Sequence, residues 1–186
     1  SAMERIKKIV GERIYLSPLN EDDCRQYARW LNDFEITDRL GVSDMVNTFK
    51  SEKEWIDDNI KKGSHVYGII LAETDEIIGN IGIESISATC RKADVGLFIG
   101  DEIHRNKGYG AEALRLACKY AFDKLNLHSL HLNVFAFNER AIACYKKVGF
   151  KEAGRLREAY YCNGKYHDQI IMDILQMYMK VNQLKK

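Results

Sequence analysis

Apolar and polar positions alternate over residues 13–17 (RIYLS) in a stretch rich in β-formers, which predicts a first strand closed by Pro18. Asn20 followed by Glu21, Asp22 and Asp23 gives a cap with first-turn acids. Cys24, Tyr27, Ala28 and Leu31 then recur on one helical face, predicting a helix from Asn20 to about Leu31. Residues 32–50 show no clean period. Ser51-Glu52-Lys53-Glu54 has the form of a capping box, opening a second helix through Trp55, Ile56 and Ile60 that Gly63 ends. Three β-rich runs follow: His65 to Ala72, Glu76 to Ile83 and Lys92 to Gly100. The first two are joined by the turn Glu73-Thr74-Asp75, and three neighbouring strands without helices between them predict an antiparallel meander. A long helix starts near Ala111, with Leu114, Ala117, Cys118, Ala121, Phe122 and Leu125 at helical spacing, and His128 to Phe135 is again a strand. Strand, crossover helix and strand make a βαβ unit, so these two strands should be parallel. Asn138 caps a last helix with Ala141, Ile142, Tyr145 and Val148 on one side and Gly149 at its end. Two long strands meet at Asn163-Gly164, a dipeptide that favours a type I′ turn. The prediction is α+β, with a mixed, mostly antiparallel sheet of about seven strands, a central βαβ unit and about four helices.

At 186 residues and 46% hydrophobic content, the chain suits one domain with a sizeable core, taken as residues 3–179. Ser1-Ala2 ahead of Met3 has the form of an expression scar, and 180–186 is expected to be a loose tail. Lysine plus arginine number 28 against 27 aspartate plus glutamate, so no basic surplus argues for nucleic acid. The five cysteines are scattered and form no CxxC pair, as free thiols in a reducing cytoplasm would be. No apolar run has membrane-spanning length and no signal peptide is read ahead of the first strand, so no membrane partner and a cytoplasmic location are expected. The histidines show no metal-ligand spacing, and no metal is expected.

The stretch from Asp94 to Leu125 carries the candidate chemistry. Between strand and helix lies Arg105-Asn106-Lys107-Gly108-Tyr109-Gly110, a basic loop with two glycines opening directly onto a helix N-terminus. Unpaired N–H groups converge there and the helix dipole adds partial positive charge, so the natural ligand is a phosphate or pyrophosphate. Gly108 and Gly110 admit close backbone approach, while Arg105 and Lys107 supply charge at the edge. Gly108-Tyr109-Gly110-Ala111-Glu112-Ala113 also fits a dinucleotide fingerprint, but only one parallel crossover follows and no acid ends the next strand. No Walker A loop is present. Asn138, Ala141 and Tyr145 share one helix face. Cys144 has no signature of a Cys-His pair and suits a small buried hydrophobe. Glu84 and Asp94 are the acids near the middle strands, and either could sit on a strand facing a cleft.

This arrangement resembles the GNAT superfamily of acetyl-CoA-dependent N-acetyltransferases over nearly the whole chain. Its [QR]-x-x-G-x-[GA] signature stands as Arg105-Asn106-Lys107-Gly108-Tyr109-Gly110, and N-x-x-A-x-x-x-Y-x-x-x-G-F stands as Asn138, Ala141, Tyr145, Gly149 and Phe150. RIYLSPLNEDD, Trp30-Leu31-Asn32-Asp33 and NGKYHDQIIMDIL are similar to the branch of ribosomal-protein N-terminal acetyltransferases and spermidine acetyltransferases. The resemblance implies a single GNAT-like domain in which the edge at Phe98, Ile99 and Gly100 pairs with the pantetheine arm of acetyl-CoA. The amides from Lys107 to Ala111 would hold the pyrophosphate with Arg105 and Lys107 as partners, and Asn106 and Tyr109 lie in the same loop. Asn138 would bond the pantetheine near the thioester and Ala141 would leave room for it. Tyr145 would protonate the leaving thiolate after direct attack by an amine, and Asp94, with Glu84 in reserve, would be the base, acting through water. The acceptor is a primary amine, either a protein N-terminus or a small molecule. Asp22, Asp23, Asp33, Glu35, Asp38 and Asp44 could complement a polyamine. Asp33-Phe34-Glu35-Ile36 does not match the paired glutamates of the spermidine branch. A non-catalytic acyl-CoA sensor is the rival of another class. Homodimers are common among relatives, and the oligomeric state stays open.

Overall fold

The computed structural model describes residues 3–179. Eight strands follow one another along the hydrogen-bond ladder in the order β1-β2-β3-β4-β5-β6-β8-β7, mixed and mostly antiparallel. The chain groups into two compact units, one up to Gly82 with Leu97–Ala113 and one of Ile83–Gly96 with the residues from Leu114 onwards, so β4, β5 and α4 each contribute to both.

In the first unit, β1 (Ile9–Val10) pairs antiparallel with β2 (Ile14–Pro18), which pairs antiparallel with β3 (His65–Leu71), with Leu16 opposite Ile69. β4 (Ile77–Ser87) begins here and β5 (Lys92–Ile99) ends here. A 3-10 turn at Glu21–Asp23 leads into α1 (Cys24–Trp30), followed by α2 (Phe34–Leu40) and α3 (Phe49–Lys62). Tyr15, Tyr27, Trp30, Ile36, Ile56, Ile70 and Ile77 form its core, which draws on strand and helix residues alike. Beneath it Arg5 and Asp23 make a bidentate pair at 2.9 and 3.0 Å, both side chains buried.

In the second unit, α4 (Tyr109–Asp123) turns Leu114, Ala117, Cys118 and Ala121 inward, and β6 (Ser129–Phe135) turns Leu130, Leu132 and Val134 inward. The predicted βαβ crossover is present: β6 pairs parallel with β5, Asp94 opposite His131. α5 (Glu139–Val148) precedes β7 (Lys151–Cys162) and β8 (Lys165–Leu175), an antiparallel hairpin. Its turn has Asn163 at φ 52° and Gly164 at φ 79°, the two positive angles a type I′ turn needs.

The elements differ from the sequence reading at several points, and β4 runs on to Ser87, past its predicted end at Ile83. The strand count rises from seven to eight because β1, only two residues long, carries no alternation to read. The helix count rises by α2, which lies in the stretch without a period: Phe34 faces solvent, so the apolar stripe is broken. Its ends are nevertheless chemical, with Asp33 accepting from the Glu35 N–H at 2.9 Å and Gly41 closing it at φ 75°. The capping box sits one turn earlier than predicted. Thr48 Oγ1 accepts from the Ser51 N–H at 3.0 Å and Ser51 Oγ accepts from the Thr48 N–H at 2.8 Å, making Ser51 the third helical residue rather than the cap. The long helix begins at Tyr109, two residues ahead of Ala111. The predicted tail at 180–186 lies outside the described residues.

Candidate active site

The phosphate-loop candidates lie together in the first unit. β5 ends at Ile99 and hands over to Gly100, where an added Cβ would run into the Trp30 indole, so the ring packs directly on the backbone. Trp30 Nε1 donates to Asp101 Oδ1 at 3.3 Å, fixing the start of a 3-10 turn (Glu102–His104). The chain then reverses through Asn106 at φ 61° and Gly108 at φ 83°, and α4 starts at the next residue. The left-handed angle explains glycine at 108. No such reason applies at 110, where an added Cβ would meet only Leu97 and Ile99 at ordinary distances of 3.7 and 3.8 Å. The protein's own packing leaves Gly110 unexplained, and a group lying against the backbone from outside would explain it. The N–H groups of the first turn of α4 have no intrahelical acceptor and point out of its N-terminus. These residues could hold a phosphate or pyrophosphate.

Arg105 is less mobile than a charge at the loop edge was expected to be. Its Nη2 donates to the Gly100 carbonyl at 2.6 Å and its Nη1 lies 3.5 Å from Glu35 Oε2, which ties the start of the loop to the end of β5 and to α2. Lys107 is exposed. Arg13, which the sequence reading passed over, holds the loop from outside: its Nη1 donates to the Lys107 carbonyl at 2.7 Å and its guanidinium lies 4.6 Å from the Tyr109 ring centroid. Nothing in the local pattern at the start of β2 announces this contact, which spans 94 residues of chain. Glu76, Asp101 and His104 also converge, one ligand atom from each within 4.8 Å of the others. His104 Nε2 lies 3.5 Å from Glu76 Oε1, and Asp101 accepts from Trp30, so each of the three has a contact within the protein.

The remaining candidates lie in the second unit. Asn138 Oδ1 accepts from the Ala141 N–H at 3.4 Å, capping α5 and setting its first turn. Tyr145 lies one turn further along and its ring sits 6.4 Å from that of Phe150. Burial pushes the Tyr145 phenol well above its ordinary value, which keeps the hydroxyl protonated and able to donate. Burial likewise raises the Cys144 thiol, against the pull of Arg115 and Lys147, which disfavours a thiolate nucleophile there. Glu84 is exposed on β4 beside Ser85, whose φ is 51°. Asp94 is bonded: its Oδ1 lies 2.8 Å from His131 Nδ1. The pairing depends on strand register and not on any local motif, so nothing in the sequence around His131 announces it. An aromatic row stands on the same unit, with Phe135 and Tyr160 stacked at 4.1 Å and Phe137 4.6 Å from His167.

A family model described as "Acetyltransferase (GNAT) domain" matches residues 13–151. The spermidine N(1)-acetyltransferase of Escherichia coli (strain K12) is 29% identical over 163 residues, covering 88% of this chain and 86% of that protein. The putative ribosomal N-acetyltransferase YdaF of Bacillus subtilis (strain 168) is 31% identical over 100 residues, 54% of each chain. Among solved structures, the spermidine N-acetyltransferase of Vibrio cholerae, in complex with CoA and spermine, has a TM-score of 0.82 at 27% identity, covering 90% of this chain and 98% of that one. With the strand, glycine loop and helix inside the matched span, the chain belongs to the GNAT acetyltransferase family and transfers the acetyl group of acetyl-CoA to an amine.

Proposed function

We propose that the chain, as one N-acetyltransferase domain over residues 3–179, acetylates a primary amine by direct attack on the thioester, without an acyl-enzyme. The observation that carries this reading is the loop running from Arg105 into α4, with its unexplained glycine at 110 and a helix N-terminus behind it. The amides from Lys107 to Ala111 hold the pyrophosphate, the exposed Lys107 adds charge, and Arg105 braces the loop from Gly100 to Glu35. Phe98, Ile99 and Gly100 offer their strand edge to the pantetheine arm. Asn138 bonds that arm near the thioester and Ala141 leaves room beside it. Tyr145, held as a neutral phenol, gives its proton to the leaving thiolate. A neutral amine is required for attack, so a base must take one proton from the ammonium. Asp94 stands first for that role and Glu84 second.

The acceptor is a protein N-terminus or a small-molecule amine. A polyamine is favoured by the likeness to spermidine acetyltransferases. The acids that would bind it are largely engaged elsewhere: Asp23 with Arg5, Asp33 as the α2 cap, Glu35 with Arg105 and Asp38 with Ser43. We therefore place the monoamine and peptide N-terminus readings ahead of the polyamine. No helix among the described residues is long and apolar enough to cross a membrane, and a cytoplasmic enzyme acting as a homo-oligomer fits the reading. Incubation with acetyl-CoA and a panel of spermidine, amino sugars and a ribosomal-protein N-terminal peptide, followed by free thiol, tests it. Thiol release with one acceptor class supports it. Tight acetyl-CoA binding with no release on any amine would make the chain an acyl-CoA sensor.

A further inference from the structure

We propose that His131, oriented by Asp94, is the group that takes the proton from the attacking amine. The inference rests on the acetyl-transfer reading and changes the part Asp94 plays in it, from proton acceptor to positioning residue.

The pair belongs to the two parallel strands. Their ladder has three rungs, Lys92↔Ser129, Ala93↔Leu130 and Asp94↔His131, so the pair is the last one before β5 and β6 stop pairing. Side chains alternate along a strand, and Ala93, Val95, Leu130 and Leu132 are all buried. Asp94 and His131 therefore share the opposite face. The Nδ1 to Oδ1 distance is 2.8 Å, and the two side chains are 27% exposed for His131 and 56% for Asp94. A carboxylate accepting from Nδ1–H leaves the lone pair on Nε2, and no other hydrogen bond engages this imidazole among the described residues. Charged groups surround the ring on both sides. Lys92 precedes Asp94 on the same face of β5, Asp173 stands directly opposite His131 on β8, and Lys151 stands opposite Asp173 on β7. The Lys151 ammonium is turned over the Tyr178 ring at 4.2 Å. An imidazolium formed at His131 thus has a carboxylate on either flanking strand. An imidazole whose other nitrogen is held by a carboxylate presents one oriented lone pair, the arrangement a general base needs.

The acceptor ammonium gives one proton to His131 Nε2, leaving a neutral amine and an imidazolium. The amine lone pair forms the N–C bond to the thioester carbonyl, and collapse of the tetrahedral species breaks the C–S bond. The thiolate takes the Tyr145 proton, the second nitrogen proton returns through solvent to the Tyr145 phenolate, and His131 releases its proton to water.

The test compares kcat across pH for the full chain and for His131→Gln, His131→Gly, Asp94→Ala and Asp94→Glu, on the amine that gives the fastest thiol release. Acetyl-CoA affinity and thermal melting are read alongside. The expected result is a loss of about 10²- to 10³-fold in kcat for His131→Gln, disappearance of the acidic limb of the profile and unchanged acetyl-CoA binding. Free imidazole should restore part of the turnover of His131→Gly. Asp94→Ala should lose less than His131→Gln, and Asp94→Glu should recover most of that loss. Wild-type kcat and pH profile in His131→Gln would reduce the pair to an exposed cross-strand ion pair, and a larger loss in Asp94→Ala than in His131→Gln would make Asp94 itself the base. Either result overturns the proposal. Absence of thiol release from the wild-type chain on every amine is a separate outcome that would sink the acetyl-transfer reading and this one with it.

Discussion

Glu112, in the first turn of α4, holds Arg13 by two bonds and its neighbour Ile14 by a third: Oε1 accepts from Arg13 Nε at 3.0 Å, and Oε2 accepts from the N–H groups of Arg13 at 3.0 Å and Ile14 at 3.2 Å. The start of β2 is thereby clamped to the helix that begins at the loop, and Arg13 passes the constraint on to the Lys107 carbonyl. Glu112→Ala releases both. Bonds to charged groups of this kind are worth about 1.5–3 kcal/mol, less where water screens them, so acetyl-CoA affinity should fall by about tenfold. Because the clamp touches no reacting atom, kcat at saturating acetyl-CoA should stay near wild type. Calorimetric titration with acetyl-CoA alongside steady-state kinetics separates the two, and an unchanged affinity would remove the clamp from cofactor binding.

Tyr145→Phe removes the proposed proton donor and keeps the ring that faces Phe150. General acid catalysis contributes about 10²- to 10⁴-fold, and kcat should drop within that range while acetyl-CoA binding is retained. Because burial raises this phenol, no basic limb belonging to it should appear in the wild-type pH profile below about pH 10. A limb below that value that vanishes in Tyr145→Phe would contradict the buried, neutral phenol.

Asp23 and Arg5 are both buried, and Arg5 Nε also donates to the Asp75 carbonyl at 2.9 Å. Removing one partner leaves a buried charge uncompensated, which costs about 3–5 kcal/mol. For a chain of this size, each kcal/mol lowers Tm by about 2–4 °C. Asp23→Ala should therefore melt roughly 10 °C below wild type, whereas replacing both residues by apolar ones of similar volume should recover much of the loss. Thermal melts of the single and double variants decide this, and equal melting temperatures for the two would argue against an uncompensated charge.

Glu52 lies buried in the first turn of α3, and burial raises its carboxyl above the ordinary range. The folded chain therefore holds this proton more tightly than the unfolded chain does. The group favours folding at low pH, and that contribution is lost as pH rises from the ordinary carboxyl value through the raised one. Glu52→Gln abolishes the dependence. Its Tm advantage over wild type should widen as pH rises above the ordinary carboxyl value, and a constant offset across that rise would contradict the assignment.

Local chemistry made much of this chain legible. Asn138 with Gly149, Asn163 with Gly164 and the apolar stripe of α4 each carry their information within a few residues, and each element stands where its residues put it. The glycine loop was legible for the same reason, since a positive φ at 108 and an open backbone at 110 are properties of glycine itself. α2 was not, because a short helix with an outward phenylalanine is stabilised by its caps and by Ile36 in the core rather than by a stripe.

By itself, then, the amino-acid sequence determined the α+β class, the βαβ crossover and the glycine loop that opens α4, all of which follow from periodicities and conformational preferences that neighbouring residues share. Tertiary structure alone decided which distant residues complete that loop and which partner Asp94 has. Arg13 reaches Lys107 and Glu112 across more than ninety residues, and His131 meets Asp94 only because two parallel strands pair in one register. A shift of one residue in that register would turn His131 to the other face of the sheet, and no local pattern encodes it.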